Sequence, residues 1–317
     1  METMIQIDKN NPILFSDLCD RYCKRYIKLN EKKIDKKIQS YIKKYGNIKI
    51  GKFYQKFALD WKILIQAKPK DLINFKENNY NKFNLLFKVK KNRKQLLDLL
   101  GYERVRKTKF VYEIVKDMGI KACPYCNAHP IHAYKTQTKS RLQTQLDHYF
   151  PKSIYPYLSV SFYNLIPICS YCNNRKGDQE FPPKFYHPYR DNVANKFRFR
   201  VVNNIKKLHL DKDYRQNLKI KVDDYTNTIP QFSKKMEIEE LYDNYTDVAA
   251  EIFEKSKIYN KTKKLELQKL FKQVFNKKIN DQDMNVLILG NFVEEKDILK
   301  RPISKFMQDI AKDVGLL

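Results

Sequence analysis

Two cysteine pairs, Cys123-Pro-Tyr-Cys126 and Cys169-Ser-Tyr-Cys172, constrain this 317-residue chain more than any other feature. Each pair has the spacing of a metal-binding knuckle. Together they offer four thiolates, the closed tetrahedral set of a structural zinc ion (Zn2+). A redox role accounts for one such pair but gives no reason for a matched second one. If the four sulfurs converge, the 42 residues between Cys126 and Cys169 must close into a loop long enough to hold a functional element. His129 and His132 follow Cys126 at three-residue steps and could substitute as ligands, but four cysteines already complete the shell. The remaining pair, Cys19 and Cys23, has no second Cys or His pair near it in sequence and reads as small apolar side chains of a helix face. The opening METMIQIDKNNPILF lacks the basic-then-apolar pattern of a leader, so the six cysteines fit a cytoplasmic setting and not a disulfide frame. No run of about 18 apolar residues exists, so no membrane span is expected.

The balance of charge points to a polyanionic partner. There are 63 Lys and Arg against 36 Asp and Glu, a formal net charge of +27. Basic side chains that neutralise phosphates release condensed counterions, which drives nucleic-acid binding. A solvated Lys-rich surface gives the same composition. The excess is uneven: residues 1–100 hold 24 basic and 10 acidic residues, residues 101–200 hold 17 and 7, and residues 201–317 hold 22 and 19.

Periodicity divides the chain into three. Residues 1–105 form a basic, mostly helical region. In 16–45 the residues Leu18, Tyr22, Tyr26 and Leu29 share a face, with Ser16 and Asp17 at the N-cap. Further helices are expected near 51–67 and 81–100, with KPKDLINFKENN as a connector and Trp61 in the core. Residues 106–190 hold the cysteine module, entered by a helical stretch over 103–120 that ends at Gly119. Prolines 151, 156, 167, 182, 183 and 188 break the module into short strands, loops and brief helices. Residues 191–317 begin with two alternating strands, NKFRFRVV and NLKIKVDDY, and continue as helices from about 236. The fold class is therefore α+β.

The loop between the cysteine pairs carries the chemistry. Asp147 and His148 stand side by side in LDHYFPKS, Asn164 lies in SFYNLIPIC, and Asn173 directly follows Cys172 in CNNRKGD. Across residues 121–180 this order resembles the HNH, or His-Me finger, endonucleases. It looks like their HNN version, as in the endonuclease VII branch, because Asn173 stands where the family name has its last His. The resemblance implies a zinc-clamped ββα unit that hydrolyses phosphodiesters with one Mg2+ or Mn2+. Imidazole titrates near neutral pH, so His148 suits the general base. Asp147 and Asn173 offer the hard oxygens such an ion prefers. By the same resemblance Asn164 is a brace that orients His148. Asn174 is a rival for the role of Asn173. Lys152, Arg175 and Lys176 are placed to reach phosphates. His187, in YHPYRDN, is open between a substrate contact and a structural role.

The flanks give weaker guidance. An HNH module between a basic helical region and a C-terminal α/β region resembles the HNH subunit of Septu anti-phage systems, which works with an ATPase. That resemblance implies an ATPase or other defence-system subunit as partner. The chain holds no GxxxxGK[ST] loop of its own. DNA is the expected substrate. An RNA-cleaving effector, for example on tRNA, and a non-catalytic zinc module that binds nucleic acid are the alternatives.

Overall fold

A computed structural model describes residues 12–136, 140–181, 186–191, 197–208, 210–224 and 230–317. Residues 1–11, read above for a leader, and Pro182 and Pro183 lie outside the described residues. The described residues form two compact units, one within 12–119 and 131–190, the other within 120–130 and 191–317.

The first unit opens with a helical hairpin, α1 (Pro12–Tyr45) and α2 (Lys49–Gln66). The buried seam of α1 runs through Leu18, Tyr22, Tyr26, Asn30, Ile34 and Ile38. Its later steps are all four residues, so Leu29 falls beside the seam and is 53% exposed, against the expectation. Ser16 and Asp17 lie in the second turn of α1 and not at its cap, because the helix already includes Pro12, which the first turn tolerates. Trp61 is in the core, and its indole N–H donates to Asp35 at 3.0 Å, which pins α2 to α1.

The stretch expected to be a connector is also helical. It forms α3 (Pro69–Asn74) and a single wide turn over Phe75–Asn79. Its polar composition hides a buried series at steps of four: Leu72, Lys76 and Tyr80. Lys76 is buried because its ammonium pairs with Glu180 at 2.7 Å and lies 5.2 Å from the ring centre of Phe150. Residues 81–100 split into a 3-10 helix, Asn81–Lys88, and α4 (Lys90–Leu100). The expected helix over 103–120 likewise splits into α5 (Tyr102–Val105) and α6 (Lys109–Asp117), with Gly119 at φ +68°.

Two antiparallel hairpins follow in the same unit. One pairs β1 (His132–Lys135) with β2 (Ser140–Gln143), the other β3 (Gln145–His148) with β4 (Leu165–Ile168). Between β3 and β4 the chain wedges its aromatics into the N-terminal helices. Tyr157 stacks on Tyr80 at 4.7 Å and lies 6.4 Å from Phe53. Tyr22 donates to the carbonyl of Val160 at 3.0 Å. A short helix, α7 (Ser170–Lys176), completes a ββα arrangement.

The second unit contains the expected strand pair, β5 (Phe197–Val201) against β6 (Ile220–Asp224). Between and after these strands come α8 (Ile205–Leu208), α9 (Tyr214–Asn217), α10 (Pro230–Met236), α11 (Ile238–Tyr242), α12 (Thr246–Ile258), α13 (Lys261–Phe275), α14 (Asp281–Leu289) and α15 (Ser304–Asp313). Phe199, Tyr242 and Phe306 form its aromatic centre, with Phe199–Tyr242 centroids at 4.3 Å and Phe199–Phe306 at 5.2 Å. Carboxylates of α15 accept from the edge of β5: Asp309 from Phe199 N at 3.1 Å and Asp313 from Val201 N at 2.8 Å. No helix among the described residues is long and apolar enough to cross a membrane.

Candidate active site and cysteine cluster

The ββα arrangement brings the chemistry-bearing residues of the central loop together. In the β3–β4 ladder Asp147 pairs with Ile166 and His148 with Leu165. Every residue of β4 is buried, which fixes the register of β3 and hence the side chains of its last two residues. Helix α7 starts immediately after Cys169, whose sulfur caps it by accepting from Cys172 N at 3.4 Å. Gly177 ends α7 at φ +54° and ψ −144°, a conformation that suits glycine alone. Asn173 thereby faces the same cavity as Asp147 and His148, a cleft of about 320 Å³. Asn174 is exposed and not on the cavity wall.

His148 is 7% exposed, and its Nε2 lies 3.0 Å from the carbonyl oxygen of Ser159. A carbonyl can only accept, so Nε2 carries the ring proton and Nδ1 keeps its lone pair. The ring of Tyr102 meets the imidazole edge-on at 4.5 Å. Burial, aided by Lys152, pulls the His148 pKa down to about 3, well below the near-neutral titration expected from the sequence, so the ring is neutral at pH 7. Burial also pushes the Tyr102 phenol up to about 12, and its hydroxyl donates to Leu146 O at 3.3 Å.

Asn164 is fully buried and uses both ends of its amide. Its oxygen accepts from Phe150 N at 2.7 Å, while its nitrogen donates to Phe150 O at 3.2 Å and Leu158 O at 3.0 Å. It ties the chain just after His148 to the segment that carries the Ser159 carbonyl.

The expected phosphate contacts divide. Lys152 lines the cavity, pairs with Glu103 at 3.3 Å and lies 4.6 Å from the ring centre of Tyr102. Arg175 is exposed and away from the cavity wall. Lys176 differs from the expectation. Its side chain is 0% exposed, and its ammonium donates to Asp147 Oδ1 at 2.9 Å and His148 O at 2.7 Å. A solvated phosphate contact is not its place in this structure, because the helix register turns it under β3. Tyr102 and Arg106 also line the cavity, and sequence reasoning missed both. The one available signal was the basic run Arg104-Val105-Arg106-Lys107 just before the module.

The thiol sulfurs of Cys123, Cys126, Cys169 and Cys172 lie within 4.8 Å of one another, and all four residues are buried. A tetrahedron of sulfurs about 2.3 Å from a zinc ion has edges near 3.8 Å, so the set fits a metal centre. The Cys123–Cys126 turn is closed by Cys123 N on His129 O at 2.9 Å and Asn127 N on Cys123 O at 2.7 Å, with Asn127 at φ +55°. Tyr242 donates to Cys126 O at 2.8 Å, and Asn127 bonds Ile298 O and Lys305 N at 2.9 and 3.0 Å. His129 Nδ1 lies 3.6 Å from Cys126 Sγ, while His132 is exposed on β1. Cys19 and Cys23 are buried with sulfurs 3.9 Å apart, and among the described residues no group that could hold a metal includes them. His187 is buried, accepts from Tyr189 N at 3.2 Å and packs 4.1 Å from Tyr149, on the structural side of the alternatives left open.

Residues 123–179 match the family model described as HNH endonuclease. The chain therefore carries an HNH domain, the nuclease type that uses a divalent metal, over the stretch that contains the cysteines, the Asp147-His148 pair and α7. No curated protein and no solved structure matches the chain.

Proposed function

We propose that this protein is a metal-dependent endonuclease that hydrolyses phosphodiester bonds in DNA, with His148 as general base. The observation that carries this reading is the cavity shared by His148, Asp147 and Asn173, with the His148 proton parked on the Ser159 carbonyl. Nδ1 then accepts a proton from water as the water attacks phosphorus. Asn164 holds the loop so that the ring keeps this orientation. Asp147 and Asn173 would hold a Mg2+ or Mn2+ ion. Their fit rests on their chemistry: a carboxylate and an amide that line one cavity, with the carboxylate already serving a cation, the Lys176 ammonium. When bound, such an ion polarises the phosphate and stabilises the departing 3′ oxygen. Arg106 and Lys152, which line the same cavity, supply positive charge to the phosphate. Zinc on the four cysteines is structural, because a closed set of four thiolates leaves no position for substrate.

DNA is the favoured substrate by the HNH resemblance, and the charge of +27 supports a nucleic acid in general. Within this reading the protein acts in the cytoplasm in anti-phage defence, with an ATPase or similar subunit choosing target and moment. That role rests on the Septu-like arrangement, and the GxxxxGK[ST] loop that the sequence lacks would come from the partner.

The test is cleavage of plasmid, single-stranded DNA and total RNA by the purified protein, with and without Mg2+. Mg2+-dependent cutting of DNA that disappears in His148→Ala is expected. Cutting of RNA alone moves the substrate to RNA. Binding without cutting under Mg2+ or Mn2+ favours a non-catalytic module.

A further inference from the structure

Lys176 is the least expected charge in the module. Its side chain is wholly buried, and it touches both members of the Asp147-His148 pair: the carboxylate at 2.9 Å and the His148 carbonyl at 2.7 Å. The Phe181 ring lies 5.4 Å from its ammonium. It sits three residues after Asn173 on α7, so the same helix carries one candidate metal ligand that lines the cavity with Asp147 and one resident cation bonded to the Asp147 carboxylate. A buried ammonium is costly unless it is paired. Lys176 is paired, and it thereby neutralises the carboxylate that the proposed metal would use.

We infer that Lys176 is a resident counter-cation of Asp147 that sets how tightly the candidate metal site takes up a divalent ion. The inference rests on the reading of Asp147 as a metal ligand. Two effects act in the same direction. A divalent ion on Asp147 would stand a few ångströms from a fixed positive charge in a site of low effective dielectric, where like charges repel strongly. The ammonium also competes for the electron density of Oδ1. Lys176 therefore weakens metal binding and, through its bond to the His148 carbonyl, holds the pair in place without the ion. It is a positioning residue: it reaches substrate chemistry only through Asp147 and His148.

Mn2+ binding to the full-length protein, followed by titration calorimetry or by the loss of the free-ion electron-spin resonance signal, tests this without reference to activity. Removing the charge in Lys176→Met should tighten Mn2+ binding by roughly tenfold or more. Lys176→Arg, which keeps the charge, should bind Mn2+ as weakly as the parent. Lys176→Gln, neutral but still able to donate a hydrogen bond, should follow Lys176→Met. Unchanged or weaker Mn2+ binding in folded Lys176→Met or Lys176→Gln overturns the inference. So does failure of both neutral variants to fold, since the ammonium would then be a structural requirement. Asp147→Ala separates this outcome from failure of the parent reading. If it leaves Mn2+ affinity untouched, Asp147 is not a ligand; if it abolishes binding while Lys176→Met changes nothing, only the role of Lys176 is wrong.

Discussion

Replacing Asn164 by Ala should loosen the segment that orients His148 by an amount its hydrogen bonds define. The amide makes three buried bonds, at 2.7, 3.2 and 3.0 Å, to Phe150 N, Phe150 O and Leu158 O. Phe150 and Leu158 are 1% and 0% exposed, so water does not replace the lost partner. An orphaned buried N–H costs about 1–3 kcal/mol, and each carbonyl, with a second lone pair to use, costs less. The small void adds to this, for a total on the order of 3–5 kcal/mol. That is a large part of the roughly 5–15 kcal/mol that holds an ordinary domain together. Hydrogen exchange reads the effect locally. Peptides covering 149–164 should exchange about 10²-fold to several thousandfold faster in Asn164→Ala, since each 1.4 kcal/mol is about tenfold. Ser161→Ala is the control. The Ser161 hydroxyl is buried in the same segment with no hydrogen-bond partner among the described residues, so its loss should be neutral. Exchange in Asn164→Ala within a factor of about three of the parent would refute the brace.

Three further outcomes follow from the same geometry. Cys126→Ser should lower the bound zinc from about one ion per chain and destabilise the cysteine module, because site formation and folding are coupled; elemental analysis beside thermal unfolding reads both. Asn173→Ala and Asp147→Ala should remove most cleavage at every Mg2+ concentration while Asn174→Ala, at an exposed position, keeps most of it; the reverse order for the two asparagines moves the ligand by one residue. His148 is buried with its pKa lowered to about 3, so the unfolded chain binds its proton more readily than the folded one. Its contribution to stability is therefore full above about pH 6.5 and falls as pH drops toward 3, by up to about 1.4 kcal/mol per unit. Denaturant unfolding at pH 7 and 5 should show this acid sensitivity in the metal-free parent and a smaller one in His148→Gln; equal pH dependences would count against it.

The parts legible from sequence were those in which residue type and spacing alone carry the chemistry. Two CxxC pairs announce a four-thiolate cluster whatever surrounds them, and the sulfurs do converge. The strands at 197–201 and 220–224 alternate strongly enough to be read directly. What escaped depends on contacts between distant segments. Tyr102 reaches His148 because Tyr26 donates to Leu100 O at 2.6 Å and Arg104 to Asn30 at 2.8 Å, which hold α5 against α1. The basic run Arg104-Val105-Arg106-Lys107 beside Tyr102 hints at the cavity but says nothing of this packing. The 68–79 stretch looked like a connector because a buried lysine does not register as core in a hydrophobic pattern, although Lys76 is buried by its pair with Glu180, 104 positions away. Lys176 was misplaced for the same reason: a lysine after a zinc knuckle reads as solvent-facing until the register of α7 against β3 is known.

These cases also revise what the net charge of +27 means. Part of the basic excess in the first unit is architectural. Lys76 and Lys176 are buried in ion pairs, Arg104 bonds Asn30, and Arg93 donates to Phe87 O and Ser153 O at 3.4 Å each. The two buried lysines cannot turn to a phosphate without dismantling the unit that positions the site. Arg106 and Lys152 are different. Both line the cavity, and both lean on Glu103, at 3.6 and 3.3 Å, with the Glu103 side chain 66% exposed. Exposed ion pairs of this kind contribute about 0–1 kcal/mol. Glu103 thus holds two cations near the cavity at little energetic cost, and an incoming phosphate, with more charge and more acceptor oxygens, can take its place. Under the proposed function the cations divide by partner: Lys76 and Lys176, buried in ion pairs, shape the unit, and Arg106 and Lys152, paired to the exposed Glu103 at the cavity, meet the substrate.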